Sequence, residues 1–529
     1  MNSFPAELPT DSRRSLAFTL VALAGMLISP LSLPAATSAK PPNVILIATD
    51  DLNTWVGPLD SLIKAKTPNL DRLAARGVTF LNAQACGSFC APARSALFTG
   101  RHPSTTGAYT TQVFWRDHPE IRPMQVAFQE AGYHTYGTGK VFHHPAGYVD
   151  LRGWTEYHVR TQAQREAGWP VDSWRHGAPL PIAIPFSSFA RERLATTSAD
   201  PSFIEYAPLP NEREKDMADT QQTDWAIRVL QRKHDQPFFI ALGMYAPHFP
   251  NYAPQKYYDL YPLDEIKLPV IKEDDTVDLP PAVREFYDHR KASIHDRLDK
   301  LGIMKEVLRA YLACTSYADA QVGRVLDALD ASPERDNTIV IFWSDQGYHH
   351  GEKGQWGKHS LWQETAHIPF IWAGPGIARS ARVATTVGAI DMYPTLAELC
   401  RFTPDKDWEG TSLALALQDP AQAKDRDVLL CDIKPGGYTI VNQQWRYIRY
   451  ADDTEELYHL AADPNEWHNL APAGEHQAVI DRMKARAPIL FAPPGPESSV
   501  LCLITEGESF HWESKTSGKR KAKAASPNH

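Results

Sequence analysis

Three short, continuous runs of apolar residues constrain the fold of this chain of 529 residues most strongly. They lie at residues 43–49, 238–242 and 338–343, and helical patterns at 225–230 and 308–326 precede the second and third runs. Continuous apolar runs of this length are typical of strands that are buried on both faces. Strands that alternate with helices indicate a parallel sheet. We therefore predict an α/β fold around a large, mainly parallel sheet flanked by helices.

Carboxylates follow two of these runs directly. Asp50 and Asp51 end the first run, and Asp345 and Gln346 follow the third. Ligands of parallel sheets collect at the carboxyl ends of the strands. Adjacent carboxylates repel each other unless a cation lies between them. One such pair is more typical of a solvated loop, but two pairs after two core strands favour a metal site. Because all four side chains offer oxygen, we expect calcium or magnesium rather than zinc.

A cysteine with an arginine one helical turn away forms the second candidate site. The sequence reads Cys90-Ala91-Pro92-Ala93-Arg94, with Thr99-Gly100-Arg101 shortly after. Proline suits the first turn of a helix, where backbone N–H groups point outward and the helix dipole is positive. Arg94 then lies on the same face as Cys90. Taken alone, Arg94 would be a surface residue in an ion pair, but the combined pattern indicates an anion site beside a reactive thiol.

This pattern resembles the signature of the type I sulfatases. Further elements follow in the order of that family: Gly139-Lys140-Val141-Phe142-His143, Tyr245-Ala246-Pro247-His248 and Gly354-Gln355-Trp356-Gly357-Lys358. His144 has no counterpart in the second element. The resemblance implies an alkaline-phosphatase-like fold with a smaller C-terminal domain that contains a short antiparallel sheet.

The resemblance also implies the cofactors and the site residues. A maturation enzyme would oxidise Cys90 to formylglycine, and one calcium ion would be bound by Asp50, Asp51, Asp345, Gln346 and the modified Cys90. Gln346 departs from the asparagine or histidine usual in the family. The implied catalytic residues are Cys90, Arg94, Lys140, His143, His248 and Lys358.

The implied reaction is hydrolysis of a sulfate ester. A hydroxyl of the hydrated aldehyde would attack sulfur while Lys358 and His248 hold the sulfate and protonate the leaving oxygen. His143 would then take a proton from the second hydroxyl, which expels sulfate. Residues 50–53, 67–73, 139–143 and 351–356 resemble the iduronate-2-sulfatase-like branch most closely. That branch implies a sulfated polysaccharide or oligosaccharide as the substrate.

The termini and the overall charge give the remaining predictions. Arg13-Arg14, an apolar stretch at 16–33 and small residues up to Ala39 predict a signal peptide at 1–39, and the arginine pair hints at twin-arginine export. We therefore expect a secreted or periplasmic enzyme without a membrane span. The net charge of -9 argues against a nucleic-acid partner.

The predicted domains are a catalytic domain at 40–425, a C-terminal subdomain at 426–500 and a tail at 501–529 whose end is disordered. Short alternating runs from about residue 427 indicate the antiparallel sheet of the subdomain. Residues 150–215 and 250–300 lack periodicity and are predicted to form long ordered loops.

Six cysteines without a Cys-x-x-Cys pair indicate no disulfide framework, and Cys86 is predicted to be a small buried residue. Two other functions stay open. One is a phosphonate or phosphate ester hydrolase of the same superfamily, and the other is a non-catalytic glycan-binding protein in which Cys90 is unconverted.

Overall fold

The computed structural model describes residues 40–143, 149–159, 204 and 206–496, together with two strands at 501–506 and 509–514. The predicted signal peptide at 1–39 and His144 lie outside the described residues. Among the described residues, no helix combines the length and the apolar character that a membrane crossing requires.

The strands fall into one large sheet and four smaller ones. They are β1 (Asn43–Asp50), β2 (Gly77–Gln84), β3 (His134–Gly139), β4 (Glu156–His158), β5 (Tyr206–Leu209), β6 (Phe238–Pro247), β7 (Asn251–Pro254), β8 (Thr338–Ser344), β9 (His349–His350), β10 (Trp356–Gly357), β11 (His367–Ala373), β12 (Ala381–Gly388), β13 (Val428–Cys431), β14 (Tyr438–Val441), β15 (Trp445–Arg449), β16 (Glu455–His459), β17 (Leu501–Glu506) and β18 (Ser509–Ser514).

Most of the helices lie within the part of the chain that forms the large sheet, and the last one packs against the C-terminal sheet. They are α1 (Pro68–Ala74), α2 (Cys90–Thr99), α3 (Pro103–Thr106), α4 (Phe114–Asp117), α5 (Met124–Glu130), α6 (Ala218–Leu230), α7 (Gln255–Tyr258), α8 (Pro281–Arg290), α9 (Asp296–Leu301), α10 (Met304–Asp330), α11 (Gln363–Ala366), α12 (Met392–Cys400), α13 (Ala414–Gln418) and α14 (Gln477–Lys484).

The large sheet has eight strands in the order β12-β2-β11-β8-β1-β6-β3-β4. Strand β11 runs antiparallel to both of its neighbours, and the other neighbouring pairs are parallel. The predicted fold class is therefore confirmed, and the three apolar runs form β1, β6 and β8. These strands lie side by side in the middle of the sheet, so their carboxyl ends share one edge.

Both faces of the sheet are buried in apolar cores. Along β1, Val44, Leu46 and Ala48 contact one core, and Ile45 and Ile47 contact the other. Because successive strand residues point to opposite faces, a strand between two helical layers has to be apolar throughout. This requirement explains the continuous apolar run at residues 43–49.

The C-terminal part contains the predicted antiparallel sheet, which β13 to β16 form in sequence order. Its first strand hydrogen-bonds to the segment that precedes α2: Ser88 donates its N–H to the Cys431 carbonyl at 3.2 Å. The domain boundaries at residues 425 and 500 stay a prediction. Within the segment predicted as a tail, β17 and β18 pair as an antiparallel hairpin, and residues 515–529 lie outside the described residues.

The prediction of long loops at 150–215 and 250–300 was wrong in its second part. Residues 281–301 are helical: α8 and α9 are joined by a turn of π-helix at Lys291–His295. In α8, Val283 and Tyr287 are the buried residues. Two buried residues leave too sparse an apolar pattern for the sequence to indicate a helix. In the first range, residues 160–203 and 205 lie outside the described residues.

Candidate active site

Four neighbouring strands deliver polar side chains to one edge of the sheet. Asp50 is the last residue of β1, Asp345 follows β8, His248 follows β6, and Lys140 follows β3. The register pairs Thr49 with Ser344, so β1 and β8 end at the same level. The parallel arrangement therefore brings together residues that are far apart in the sequence.

Cys90 enters this edge from the first turn of α2. Its Sγ lies 3.2 Å from Asp50 Oδ1, and its side chain has no exposed surface. The residue before it, Phe89, has extended backbone and caps the helix. The thiol therefore lies at the positive end of a ten-residue helix, in contact with the carboxylate that ends β1.

Arg94 lies one turn further along α2 and is fully buried. Its Nε donates to Asp345 Oδ2 at 2.7 Å, and its terminal nitrogens donate to the carbonyls of Thr49, at 2.9 Å, and Lys140. The guanidinium also lies 3.9 Å from Asp50 Oδ1. Arg94 thus joins the ends of β1, β3 and β8 and neutralises part of their negative charge.

Two lysine ammonium groups flank the thiol. Lys358 Nζ lies 2.9 Å from Cys90 Sγ and 2.6 Å from Asp51 Oδ1. Lys140 Nζ lies 3.8 Å from the same sulfur and forms an ion pair with Asp50. Both lysines are buried. Two ammonium groups beside one sulfur are an arrangement that can bind an oxyanion.

The two predicted histidines lie on different sides of the site. His248 Nε2 lies 3.5 Å from Asp51 Oδ2, and its Nδ1 contacts the Phe249 carbonyl. The ring of His143 packs against Phe89 with 4.9 Å between ring centroids. His248 therefore belongs to the carboxylate cluster, whereas His143 lies beside the residue that precedes Cys90.

The neighbouring carboxyls Asp50 and Asp51 differ in their acidity. Burial alone would raise the pKa of Asp50, but Lys140, His248, Lys358 and Arg94 together hold that pKa well below its usual range. Burial raises the pKa of Asp51 to about 7, against the effect of Lys358 and with a further rise from Asp50 and Asp345. Nearby positive charges therefore offset the burial of the Asp51 carboxylate less fully than that of the Asp50 carboxylate.

The thiol is weakly acidic. Burial, assisted by the charge of Asp50, raises the pKa of Cys90 to about 12. Because the thiolate is the reactive form of cysteine, an unmodified Cys90 is a poor nucleophile at neutral pH.

The side chains fit a hard divalent cation. Asp51 Oδ2 and Gln346 Oε1 are buried and accept no hydrogen bond from the described residues. The Gln346 amide lies 3.4 Å from Cys90 Sγ through its Nε2, which also contacts Asp51, so its oxygen could be turned towards the same point. Ligand atoms of Asp50, Asp51, Cys90 and His248 all lie within 4.8 Å of one another. Buried acceptors without donors are what a bound cation would satisfy.

The geometry differs in one respect from the predicted set of metal ligands. Asp345 is absent from the group of atoms within 4.8 Å, and His248 is present. The Asp345 carboxylate instead accepts from Arg94 and from the N–H groups of Asp51, at 3.2 Å, and Gln346, at 2.9 Å. The assignment of Asp50, Asp51, Cys90, Asp345 and Gln346 as ligands stays a prediction.

Several supporting residues had no signal in the sequence. Asp219 of α6 accepts the N–H groups of Tyr245, at 2.8 Å, and Ala246, at 2.9 Å, and so fixes the turn that carries His248. The Tyr311 hydroxyl of α10 donates to the Asp51 carbonyl at 2.8 Å. These contacts join segments that are distant in sequence, so no local motif could predict them.

Comparison with known proteins identifies the family. Residues 42–401 match the sulfatase family, and residues 351–490 match the C-terminal region of N-sulphoglucosamine sulphohydrolase. The chain belongs to the sulfatase family. The predicted family and enzyme class, a sulfuric ester hydrolase, are thereby confirmed.

Two curated relatives and one solved structure illustrate the similarity. A sulfatase of Formosa agariphila is 35% identical over 494 residues, which cover 92% of each chain. Mouse iduronate 2-sulfatase is 32% identical over an alignment 581 positions long, which covers 90% of this chain and 99% of the mouse enzyme. The phosphonate monoester hydrolase of Agrobacterium radiobacter shares the fold with a TM-score of 0.66 and 20% identity, over 84% of this chain and 94% of its own.

We expect Arg94→Ala to lower the free energy of unfolding by about 3–5 kcal/mol, because it leaves Asp345 and Asp50 buried without their shared cation. Arg382→Ala is the matched control. Arg382 pairs at the surface with Asp60, and both side chains are well exposed, so its loss should cost at most about 1 kcal/mol. Denaturant unfolding of both variants measures the difference. Equal losses would show that the Arg94 ion pairs contribute no more than surface pairs.

Proposed function

We propose that this protein is a secreted sulfatase that removes sulfate from a sulfated sugar, with formylglycine made from Cys90 and one calcium ion. One observation carries this proposal. In a chain of the sulfatase family, the Cys90 sulfur lies within 4 Å of Asp50 and of the ammonium groups of Lys140 and Lys358. This is the arrangement that an anionic ester and a nucleophile at position 90 require.

Formylglycine and calcium would supply the chemistry that the encoded side chains lack. Formylglycine at position 90 would, when hydrated, offer two hydroxyls on one carbon, one as the nucleophile and one for the release of sulfate. Asp50, Asp51, Asp345, Gln346 and the modified Cys90 would hold the calcium ion, which would supply positive charge near the nucleophile and the sulfate. The high pKa of the Cys90 thiol supports the need for its conversion.

The chain's own residues bind the sulfate and move protons. Lys358 and Lys140 hold the sulfate oxygens from two sides of position 90. Arg94 holds the ends of β1 and β8 together and offsets the negative charge of Asp345. Lys358 or His248 protonates the leaving sugar oxygen, and His143, beside Phe89, takes the proton whose loss releases sulfate.

The substrate class that we propose is a 2-sulfated uronic acid residue in an oligosaccharide. The support is the similarity to mouse iduronate 2-sulfatase over 90% of this chain, together with the motif at residues 351–356. Secretion is proposed on the pattern of residues 1–39 alone.

We expect Cys90→Ser to keep the fold and to abolish turnover, because a serine cannot become the aldehyde under the same maturation and cannot expel sulfate from its own adduct. Cys86→Ala, which alters another buried cysteine near α2, should retain activity. Sulfate release is measured for both variants, and mass spectrometry of the peptide around Cys90 should find an aldehyde in place of the thiol. An active enzyme with an intact thiol would refute the proposal.

We expect a chelator to remove activity and calcium to restore it better than magnesium, because the oxygen donors suit the larger ion. Chelation should also lower the melting temperature of the protein, because an ion present at 100 times its Kd stabilises the folded state by about 2.7 kcal/mol. Asp51→Asn should raise the calcium concentration needed, whereas Asp60→Asn, at an exposed surface ion pair, should not. Full activity after thorough chelation would contradict the metal assignment.

We expect sulfate release from a disaccharide sulfated at the 2-position of its uronic acid to exceed release from one sulfated at the 6-position of its hexosamine. The same enzyme should cleave 4-nitrophenyl sulfate faster than 4-nitrophenyl phosphate or a phosphonate monoester, if an aryl ester is accepted. Faster cleavage of the phosphorus esters would favour the alternative function.

A further inference from the structure

A helical segment packs closely against the loop that carries Lys358. The segment, residues 281–301, comprises α8, the π-helical turn and α9, and we call it the clamp segment. The loop comprises residues 351–359. A Cβ at Gly357 would lie 2.6 Å from an Arg290 nitrogen, and one at Gly354 would lie 2.6 Å from the Lys291 side chain. Both glycines also have a positive φ, a backbone conformation that favours glycine.

Hydrogen bonds fix the loop to the clamp segment. Both terminal nitrogens of Arg290 donate to the Lys358 carbonyl, at 3.1 and 3.2 Å. The Tyr287 hydroxyl donates to the His359 carbonyl at 3.1 Å, and Gln355 Nε2 donates to the Tyr287 carbonyl at 3.0 Å. The two carbonyls held by the clamp segment belong to the residue whose side chain reaches the active site and to its neighbour.

These hydrogen bonds hold the backbone at His359, which has an unfavourable conformation for a residue with a side chain. His359 has a φ of 67°, in the left-handed region that favours glycine. Its N–H donates to the Ser88 carbonyl at 3.1 Å, two residues before Cys90. The chain is thus held on one side by α8 and on the other by the segment leading into α2.

The Lys358 side chain extends from this fixed backbone to the nucleophile position, where its Nζ lies 2.9 Å from Cys90 Sγ. The position of the ammonium group therefore depends on where the carbonyl of the same residue is anchored. Arg290 is half-buried, and both of its terminal nitrogens are engaged with that carbonyl. Arg290 is thus linked to the active site by its hydrogen bonds to the backbone of Lys358.

We propose that Arg290 is a positioning residue for sulfate hydrolysis: it holds the backbone of Lys358 so that the ammonium group stays in place beside position 90. This inference rests on the proposed role of Lys358 in binding sulfate. Arg290 is outside the family elements that predicted the site, in a range where the sequence indicated only a loop. Tyr287 supports the same loop one carbonyl further along.

A double-mutant cycle of Arg290→Ala and Lys358→Ala tests the proposal, with kcat/KM for sulfate release and the Kd for inorganic sulfate as readouts. Arg290→Ala alone should lower kcat/KM about 10- to 100-fold, the effect expected of a misplacement of about 1 Å. In the Lys358→Ala background, Arg290→Ala should change both readouts less than about 2-fold, because the group that it positions is gone. Arg290→Lys, which keeps the positive charge and one donor nitrogen, should retain part of the activity.

Arg284→Ala is the matched control on the same helix. Arg284 pairs with Asp288 along the exposed face of α8, so its removal should leave both readouts unchanged. Melting temperatures and the aldehyde content at position 90 are measured for every variant. If Arg290→Ala does not fold, the cycle is run with Arg290→Lys.

Three results would separate the possible failures. If the two single-variant losses in kcat/KM multiply in the double variant, Arg290 acts independently of Lys358 and the positioning role is overturned. Arg290 would then be a direct substrate ligand or a structural residue. No loss in Arg290→Ala or Arg290→Lys would overturn it as well. Full activity of Lys358→Ala would instead contradict the proposed function, because that variant removes the sulfate-binding cation itself.

Discussion

Three carboxylates and three cations are buried together at the carboxyl edge of the sheet, and the rest of the site depends on the balance between them. Arg94, Lys140 and Lys358 face Asp50, Asp51 and Asp345 in a region with almost no exposed surface. Buried charges are costly to desolvate, so each of these groups is tolerated only with its partners in place. With formal charges equal, a bound divalent cation would give the site the net positive charge that a sulfate ester and an ionised nucleophile require.

Much of this site could be predicted because its parts are encoded locally. The apolar run of β1 ends directly in Asp50, so the strand prediction also placed the carboxylate at the edge of the sheet. The proline after Cys90 likewise placed the thiol in the first turn of a helix. The meeting of Asp50 with Asp345 followed from the parallel arrangement, since the carboxyl ends of adjacent parallel strands share one edge. The place of Cys90 beside them followed from the family resemblance.

The remaining features depend on contacts between distant segments. Strands β2, β11 and β12 complete one half of the sheet, and β11 reverses direction there, which no pattern in its own residues indicates. The clamp segment buries too few residues to produce a helical period, so Arg290 lay in what was predicted to be a loop. Asp345 followed its strand as predicted, but its carboxylate is occupied by Arg94 and by two backbone N–H groups.

The pairing of β13 with the segment before α2 has a consequence for the order of events during synthesis. Ser88 and its side-chain partner Asp432 are 344 residues apart in the chain. At a translation rate of about 5–20 residues per second, Ser88 is made about 17 to 70 s before its partner Asp432. A second protein cannot reach the buried side chain of Cys90 in the finished fold. Any enzyme that alters this thiol therefore has to act within that interval, or on a chain that has not yet closed.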